Sequence, residues 1–193
     1  MPLIANGFTD KARKQAQHNV TSLREAIVDK GIPVLATSST CTFTLRDEYP
    51  HLLDVDNSGL REHIELATRF IWRKLDNGQT LPLKLLPLKV VYHTPCHMEK
   101  MGWSIYTLEL LRLIPRLELT VLDSRCCGIA GTYGFKSENY PTSQAIGAPL
   151  FQQIEESGAD LVVTDCETCK WQIEMSTSKR CEHPISLLAK ALR

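Results

Sequence analysis

Residues 88–97 read LKVVYHTPCH, and two kinds of chemistry meet inside that segment. LKVVYH is a short apolar run that reads as a buried strand. HTPCH follows at its carboxyl end and delivers Cys96. The arrangement recurs twice downstream. LELTVLD (117–123) leads into SRCCGIAGTYGF and the adjacent pair Cys126 and Cys127; ADLVVTD (159–165) leads into CETCK, with Cys166 and Cys169. Between the strands a helix is expected from about Trp103 to Leu113, ended by Pro115, and helical pattern resumes over 141–157. Strand alternating with helix predicts an α/β fold, a parallel sheet with flanking helices and right-handed crossovers. Pro149 lacks an amide hydrogen and predicts a helix break near Gly147.

Five cysteines between His93 and Trp171 dominate the chemistry. Thiolates are soft ligands that zinc and iron–sulfur clusters both accept. One zinc is satisfied by four donors, so five thiols favour a centre with more than one iron. Taken singly, any of them would pass as a small buried hydrophobe. Adjacent Cys126 and Cys127 cannot easily chelate one iron but can reach neighbouring irons. Cys166-x-x-Cys169 at a helix start points two thiolates to one side, where the helix N-terminus lowers their pKa. Gly128, Gly131 and Gly134 would let backbone N–H groups approach inorganic sulfide, although a tight loop explains them equally well. They do not spell G-x-G-x-x-G, so a nucleotide fingerprint is rejected. His93 and His97 flank Cys96 as metal ligands, as proton donors or as locally hydrogen-bonded side chains. Cys181 lies outside the pattern as a buried or spare thiol. No histidine follows CETCK, which excludes covalent haem attachment. Two other readings stand beside the cluster. A thioredoxin-like dithiol at CETC leaves Cys96 and the cysteine pair unexplained. A zinc-stabilised docking module would be colourless and unfolded by chelators.

The totals bound the rest. The chain has 193 residues, 43% of them hydrophobic and 23% charged, with formal net charge zero. That suffices for one full domain or two small ones, and balanced charge offers no case for nucleic acid. MPLIANGFTD has neither a basic region nor a long apolar core, so no signal peptide is expected, and seven cysteines then suggest reduced thiols in a cytoplasmic setting. A helix is predicted from Thr9 as N-cap, with Ala12, Ala16, Val20, Leu23 and Ile27 on its buried face and Gly31 at its end. IPVLAT is a strand that delivers SSTC, residues 38–41. LRDEYPHLLDVDNSG reads as loop with a short strand. Leu60, Ile64, Ala67, Ile71 and Leu75 form one face of a predicted helix flanked by Arg61, His63, Arg69, Arg73 and Lys74. Such a helix lies on a membrane surface or, more commonly, faces a core. NGQTLPLKLLPLK reads as a linker.

NGFTDKARKQ…GIPVLATSSTC parallels YGFKSENYPT…GADLVVTDCETC. Laying Cys41 on Cys169 puts Ser38 on Cys166, and the partner of the Cys126–Cys127 pair falls at or before Met1. This predicts a tandem cysteine-rich domain repeat whose first copy is truncated. Residues 1–57 are then the second half of one unit, 58–87 a helix and linker, and 88–193 a complete unit.

The order lone Cys, Cys-Cys-Gly, Cys-x-x-Cys resembles the cysteine-rich domain found twice in one of the subunits of heterodisulfide reductase and in iron–sulfur subunits of flavin dehydrogenases. HTPCHMEKMGW, DSRCCGIAGTYGFK and VVTDCETCKWQIEMS resemble the C-terminal half of the iron–sulfur subunits of anaerobic glycerol-3-phosphate dehydrogenases, with glycolate and lactate oxidase subunits as related alternatives. The resemblance implies an electron-transfer subunit. Its partners would be flavin-containing catalytic subunits that oxidise glycerol 3-phosphate to dihydroxyacetone phosphate. Electrons would pass toward menaquinone in anaerobic respiration, with the protein peripheral at the cytoplasmic side of the inner membrane. It also implies an iron–sulfur cluster of the 4Fe–4S type, noncubane in heterodisulfide reductase, held by Cys96, Cys126, Cys127, Cys166 and Cys169. The family's ferredoxin-type Cys-x-x-Cys-x-x-Cys motifs are absent from this sequence, and its first unit keeps only Cys41.

Overall fold

A computed structural model describes residues 2–193. Met1, where the repeat alignment runs out, lies outside the described residues. A short helix α1 (Pro2–Ala5) precedes α2 (Thr9–Arg24). Phe8, not Thr9, occupies the N-cap of α2, and no side chain caps it. Ala12, Ala16, Val20 and Ile27 are buried as their spacing requires, with Leu23 packed at the edge of the same core. The helix widens into a π turn over Glu25–Asp29, Gly31 reverses the chain at φ 65°, and β1 (Val34–Ala36) follows.

Four stretches depart from the sequence reading. Residues 39–53 are helical rather than loop and strand: α3 (Ser39–Phe43), a π turn over Thr44–Glu48, then α4 (Tyr49–Leu53). Tyr49 and Leu53 lie one turn apart and are both buried in the core that α2 builds. Pro50 suggests a break, but it sits in the first turn of α4, where a missing amide hydrogen is tolerated. The supposed helix from Leu60 is three elements: a 3₁₀ turn at Arg61–His63, β2 (Ile64–Leu66) and α5 (Ala67–Asp76). β2 runs parallel to β1, with Val34 opposite Ile64 and Ala36 opposite Leu66. Strand β1 needs a hydrogen-bonding neighbour, and that demand overrides the helical spacing.

Glu65, at the centre of β2, is buried and holds Arg69 and Arg73, each at 3.0 Å. Arg69 also lies over the Trp103 ring, as does Arg46. Ile71 packs into the main core and Trp72 meets Tyr106 at 5.2 Å, so α5 is a core-facing helix. Glu65→Ala should destabilise the protein by about 2–3 kcal/mol. That is below the usual range for a broken buried pair because Arg73 is half exposed and rehydrates. Urea unfolding checks this, and a loss under about 1 kcal/mol would mean that water already screens the pair.

NGQTLPLKLLPLK is a packed strap rather than a free linker. Leu83 bridges Leu192, Lys84 N donates to Ala191 O at 2.7 Å, and Leu81, Leu83, Leu86 and Leu88 pack on the core. It leads into β3 (Lys89–Tyr92), α6 (Cys96–Met101), α7 (Ser104–Arg112), β4 (Glu118–Val121), α8 (Tyr140–Glu156), β5 (Leu161–Val163), α9 (Glu167–Ser176), β6 (Cys181–Glu182) and α10 (Pro184–Ala191). The strands form one parallel sheet in the order β4-β3-β5-β6, as the strand–helix alternation predicts. β6 and α10 are additions to the sequence reading. A two-residue strand has no periodicity to read, and its Cys181 is a buried thiol.

Helix α8 runs unbroken through Pro149. Pro149 and Ala145, whose carbonyl loses its partner, both lie on the exposed side where water can satisfy that oxygen. Ser143, Gly147, Leu150, Phe151 and Ile154 are buried along the other side and anchor the helix on both sides of the proline.

Candidate metal centre

β3 and β5 are neighbours at the middle of the sheet, and the chain leaves β3 first for β4 on one side and later for β5 on the other. Crevices beyond strand ends at such a reversal are where α/β sheets bind ligands. All five cysteines of the pattern come from there. Cys96 opens α6 after β3, Cys126 and Cys127 follow β4, Cys166 is the N-cap of α9 after β5, and Cys169 lies in its first turn. Sheet bonding continues into these segments, His93 N donating to Val163 O at 2.9 Å and Leu122 N to Tyr92 O at 3.0 Å.

Cys127, Cys166 and Cys169 are buried, while Cys96 and Cys126 are exposed. Cys127 Sγ and Cys169 Sγ lie 3.3 Å apart. Ligand atoms of His93, Cys127 and Cys169 all fall within 4.8 Å of one another. Contacts with Cys126 and then Cys169 hold the Cys127 thiol well below its ordinary value. The same contact with Cys127 pushes Cys126 and Cys169 up. Cys166 is lowered to about 6, first by Cys169, then against the effect of burial. Although Cys96 is exposed, partial desolvation by the protein around it raises its thiol, with the nearby charges of Cys127 and Cys166 adding to it. Crowded sulfurs that compete for protons in a buried site are a donor set suited to a soft cation, so these residues fit a zinc ion or an iron–sulfur cluster. Of the two histidines, only His93 joins them. His97 stacks on Phe43, ring centroids 4.9 Å apart, and its Nδ1 meets Thr40 Oγ1 at 3.1 Å.

The cysteine pair is seated against α8. Gly128 has φ 86°, and a Cβ there would lie 2.0 Å from Ser143 O; a Cβ on Gly147 would lie 2.6 Å from Cys127 O. Packing against α8 therefore requires these glycines. Gly128 N also donates to Cys126 Sγ at 3.3 Å. Ser143 is fixed in turn by Gln172 of α9, whose amide donates to its Oγ at 2.9 Å.

Sequence reasoning missed two contributors. Asp165, fully buried beside Cys166, accepts hydrogen bonds from Tyr92 Oη at 2.6 Å and Thr107 Oγ1 at 3.1 Å. Burial raises its carboxyl to about 6, with the Tyr92 bond opposing that. A carboxylate ending an otherwise apolar strand is the signal that would have found it. The second contributor is α3. Ser39 donates through N (2.9 Å) and Oγ (3.0 Å) to Asp165 O, and Thr40 Oγ1 lies 3.7 Å from Cys166 Sγ. Cys41 is exposed beside this contact and lines a cavity of about 170 Å³ with Ser38, Cys166 and Thr168.

Three strand ends, a lone cysteine, a Cys-Cys-Gly turn and a Cys-x-x-Cys helix start match one sequence family, the cysteine-rich domain termed CCG, over residues 90–174. Among curated proteins the whole chain is 84% identical to an anaerobic glycerol-3-phosphate dehydrogenase subunit of Escherichia coli K12, spanning 48% of that protein's length. It is 32% identical to lactate utilization protein A of Geobacillus thermodenitrificans, over 79% of this chain and 66% of that one. An uncharacterized iron–sulfur protein of Methanocaldococcus jannaschii is 27% identical over 92% of this chain and 33% of its own length. The matched residues carry all five cysteines of the pattern, whereas α3 and Thr40 lie outside them.

Proposed function

We propose that this chain is the cluster-bearing part of an iron–sulfur electron-transfer subunit. It serves flavin-containing catalytic subunits that oxidise glycerol 3-phosphate, and hands electrons toward menaquinone at the cytoplasmic face of the inner membrane during anaerobic respiration. The observation that carries this reading is the meeting of cysteine segments at three adjacent strand ends, with three thiols buried and two exposed. The names of similar proteins supply the substrate class, and the chain spans about half the length of the first of them. No helix among the described residues is long and apolar enough to cross a membrane, which is consistent with peripheral attachment.

Cys96, Cys126, Cys127, Cys166 and Cys169 would hold the cluster, of the 4Fe–4S type and noncubane by analogy with heterodisulfide reductase. Such a cluster supplies a carrier for single electrons. The chain's residues do the rest. Cys127, Cys166 and Cys169 keep their thiolates out of water. Cys96 and Cys126 form the exposed edge through which a partner gains access. Thr40 Oγ1, from the unit before the CCG domain, donates to the Cys166 thiolate and stabilises added negative charge. Thr40→Val should therefore lower the midpoint potential. A hydrogen bond of about 0.5–1.5 kcal/mol corresponds to roughly 20–60 mV for one electron. Redox titration reads this, and an unchanged or raised potential counts against the contact. The parallel design of β1–α3 and β5–α9, with Ser38 and Cys166 each at the N-cap position of the helix that follows a strand, supports residues 1–57 as part of a related unit.

The grouping of His93 with Cys127 and Cys169 favours a second reading, a zinc-stabilised docking module. Counting iron, zinc and acid-labile sulfide per chain in anaerobically purified protein separates the two. Several irons with sulfide, lost in Cys127→Ser, are expected. Zinc without sulfide would overturn electron transfer by this chain.

A further inference from the structure

We infer that His93 is a sixth protein ligand of this metal centre, binding through Nε2 beside the five cysteines. The proposal rests on the reading that these residues hold a metal, and it goes beyond the five-thiol set by adding a neutral nitrogen donor. His93 is only 2% exposed, and its Nε2 is a buried polar atom without a hydrogen-bond partner. Buried ring nitrogens are normally paired, and what faces this ring is the Cys127 thiol, itself a metal donor, so an ion held between them would satisfy both. A ring nitrogen of His93 shares a region 4.8 Å across with Cys127 Sγ and Cys169 Sγ. Donors around one ion stand about 2.0–2.3 Å from it, so atoms this close together can share one.

The backbone pins the residue there. His93 N donates to Val163 O at 2.9 Å, extending the β3–β5 register by one residue beyond the strand. The imidazole is therefore presented from the end of a central strand, not from a loop free to swing. His97, four residues on, is the internal contrast. Its Nδ1 is engaged by Thr40 and its ring is stacked on Phe43, so it is held by the protein and not offered to the thiols. Imidazole suits both zinc and iron, and in place of a thiolate it removes negative charge from a cluster and raises its potential.

The test labels histidine with ¹⁵N in the whole chain, purified anaerobically, and reads nitrogen hyperfine coupling by pulsed electron paramagnetic resonance. Iron, zinc and sulfide are counted first, and that count judges the electron-transfer reading separately. With iron and sulfide present, the expected result is a strong nitrogen coupling that changes with the isotope, disappears in His93→Gln and persists in His97→Gln. Isotope substitution alone requires no variant, so a His93→Gln protein that fails to load leaves the parent measurement standing. Iron and sulfide without any histidine coupling would overturn the proposal and leave the cluster intact. So would a coupling that survives in His93→Gln. If zinc is found without sulfide, the electron-transfer reading fails, and the same labelled protein exchanged with cobalt(II) decides the ligand. A chain that takes up no metal overturns both.

Discussion

Gly128→Ala should cost the protein about 2–5 kcal/mol and strip metal from the cysteine centre. Two penalties combine. Alanine at φ 86° is strained by about 1–2 kcal/mol, and a new Cβ would meet Ser143 O at 2.0 Å and Gly147 N at 3.1 Å, overpacking worth about 1–3 kcal/mol more. Both obstructing atoms are backbone, inside a 17-residue helix that cannot shift locally. The strain relaxes instead by lifting the loop, which moves Cys126 and Cys127 away from Cys169. Gly31→Ala is the control, since Gly31 has φ 65° but nothing within 4 Å of an added Cβ. It should cost only the backbone part, about 1–2 kcal/mol, and leave metal content unchanged. Urea unfolding with metal counts on both variants decides; equal losses would mean that close approach to α8 is unimportant.

Asp165→Ala should destabilise by about 2–4 kcal/mol. The carboxylate is fully buried and accepts from Tyr92 Oη and Thr107 Oγ1, with Thr68 Oγ1 a further 2.9 Å from Thr107. Tyr92, Thr107 and Thr68 are themselves buried; truncation leaves the Tyr92 hydroxyl unpaired, at about 1–3 kcal/mol, along with a small void, while Thr107 turns its proton to Thr68 Oγ1. Tyr92→Phe removes one donor and should cost about 1–2 kcal/mol. In the double variant the Tyr92 donor is no longer there to be orphaned, so the losses should fall short of their sum. Strict additivity would mean that the network is not coupled. Because Asp165 immediately precedes Cys166, the network also sets where α9 begins.

The difference between what was legible and what was not follows the range of the interaction. β3, β4, β5, α7 and α9 are read correctly because their apolar runs and cysteine endings are local patterns. Residues 60–66 misled because Leu60 and Ile64 repeat at helical spacing by accident, while β1, some thirty residues earlier in the chain, demands a strand there. Pro149 misled for the opposite reason. A local rule forbids the helix, but five buried residues on the far face outweigh one lost hydrogen bond on the wet side. At the site, five cysteines in three motifs name the donor type and suggest a shared centre. Which histidine joins them could not be read, since His93 and His97 both flank Cys96 in the chain and local spacing does not say which way either ring turns.

By itself the sequence determined a parallel α/β unit with thiols at its strand ends, because strand, helix and cysteine spacing are properties of neighbours in the chain. Only the tertiary structure decided that α3 leans on Cys166, that α8 backs the cysteine pair, and that His93 turns inward while His97 turns away. Those outcomes depend on groups distant in the chain meeting in space, as Thr40 meets Cys166 and Ser39 meets Asp165. There burial and hydrogen-bond satisfaction select among arrangements that local spacing leaves equivalent.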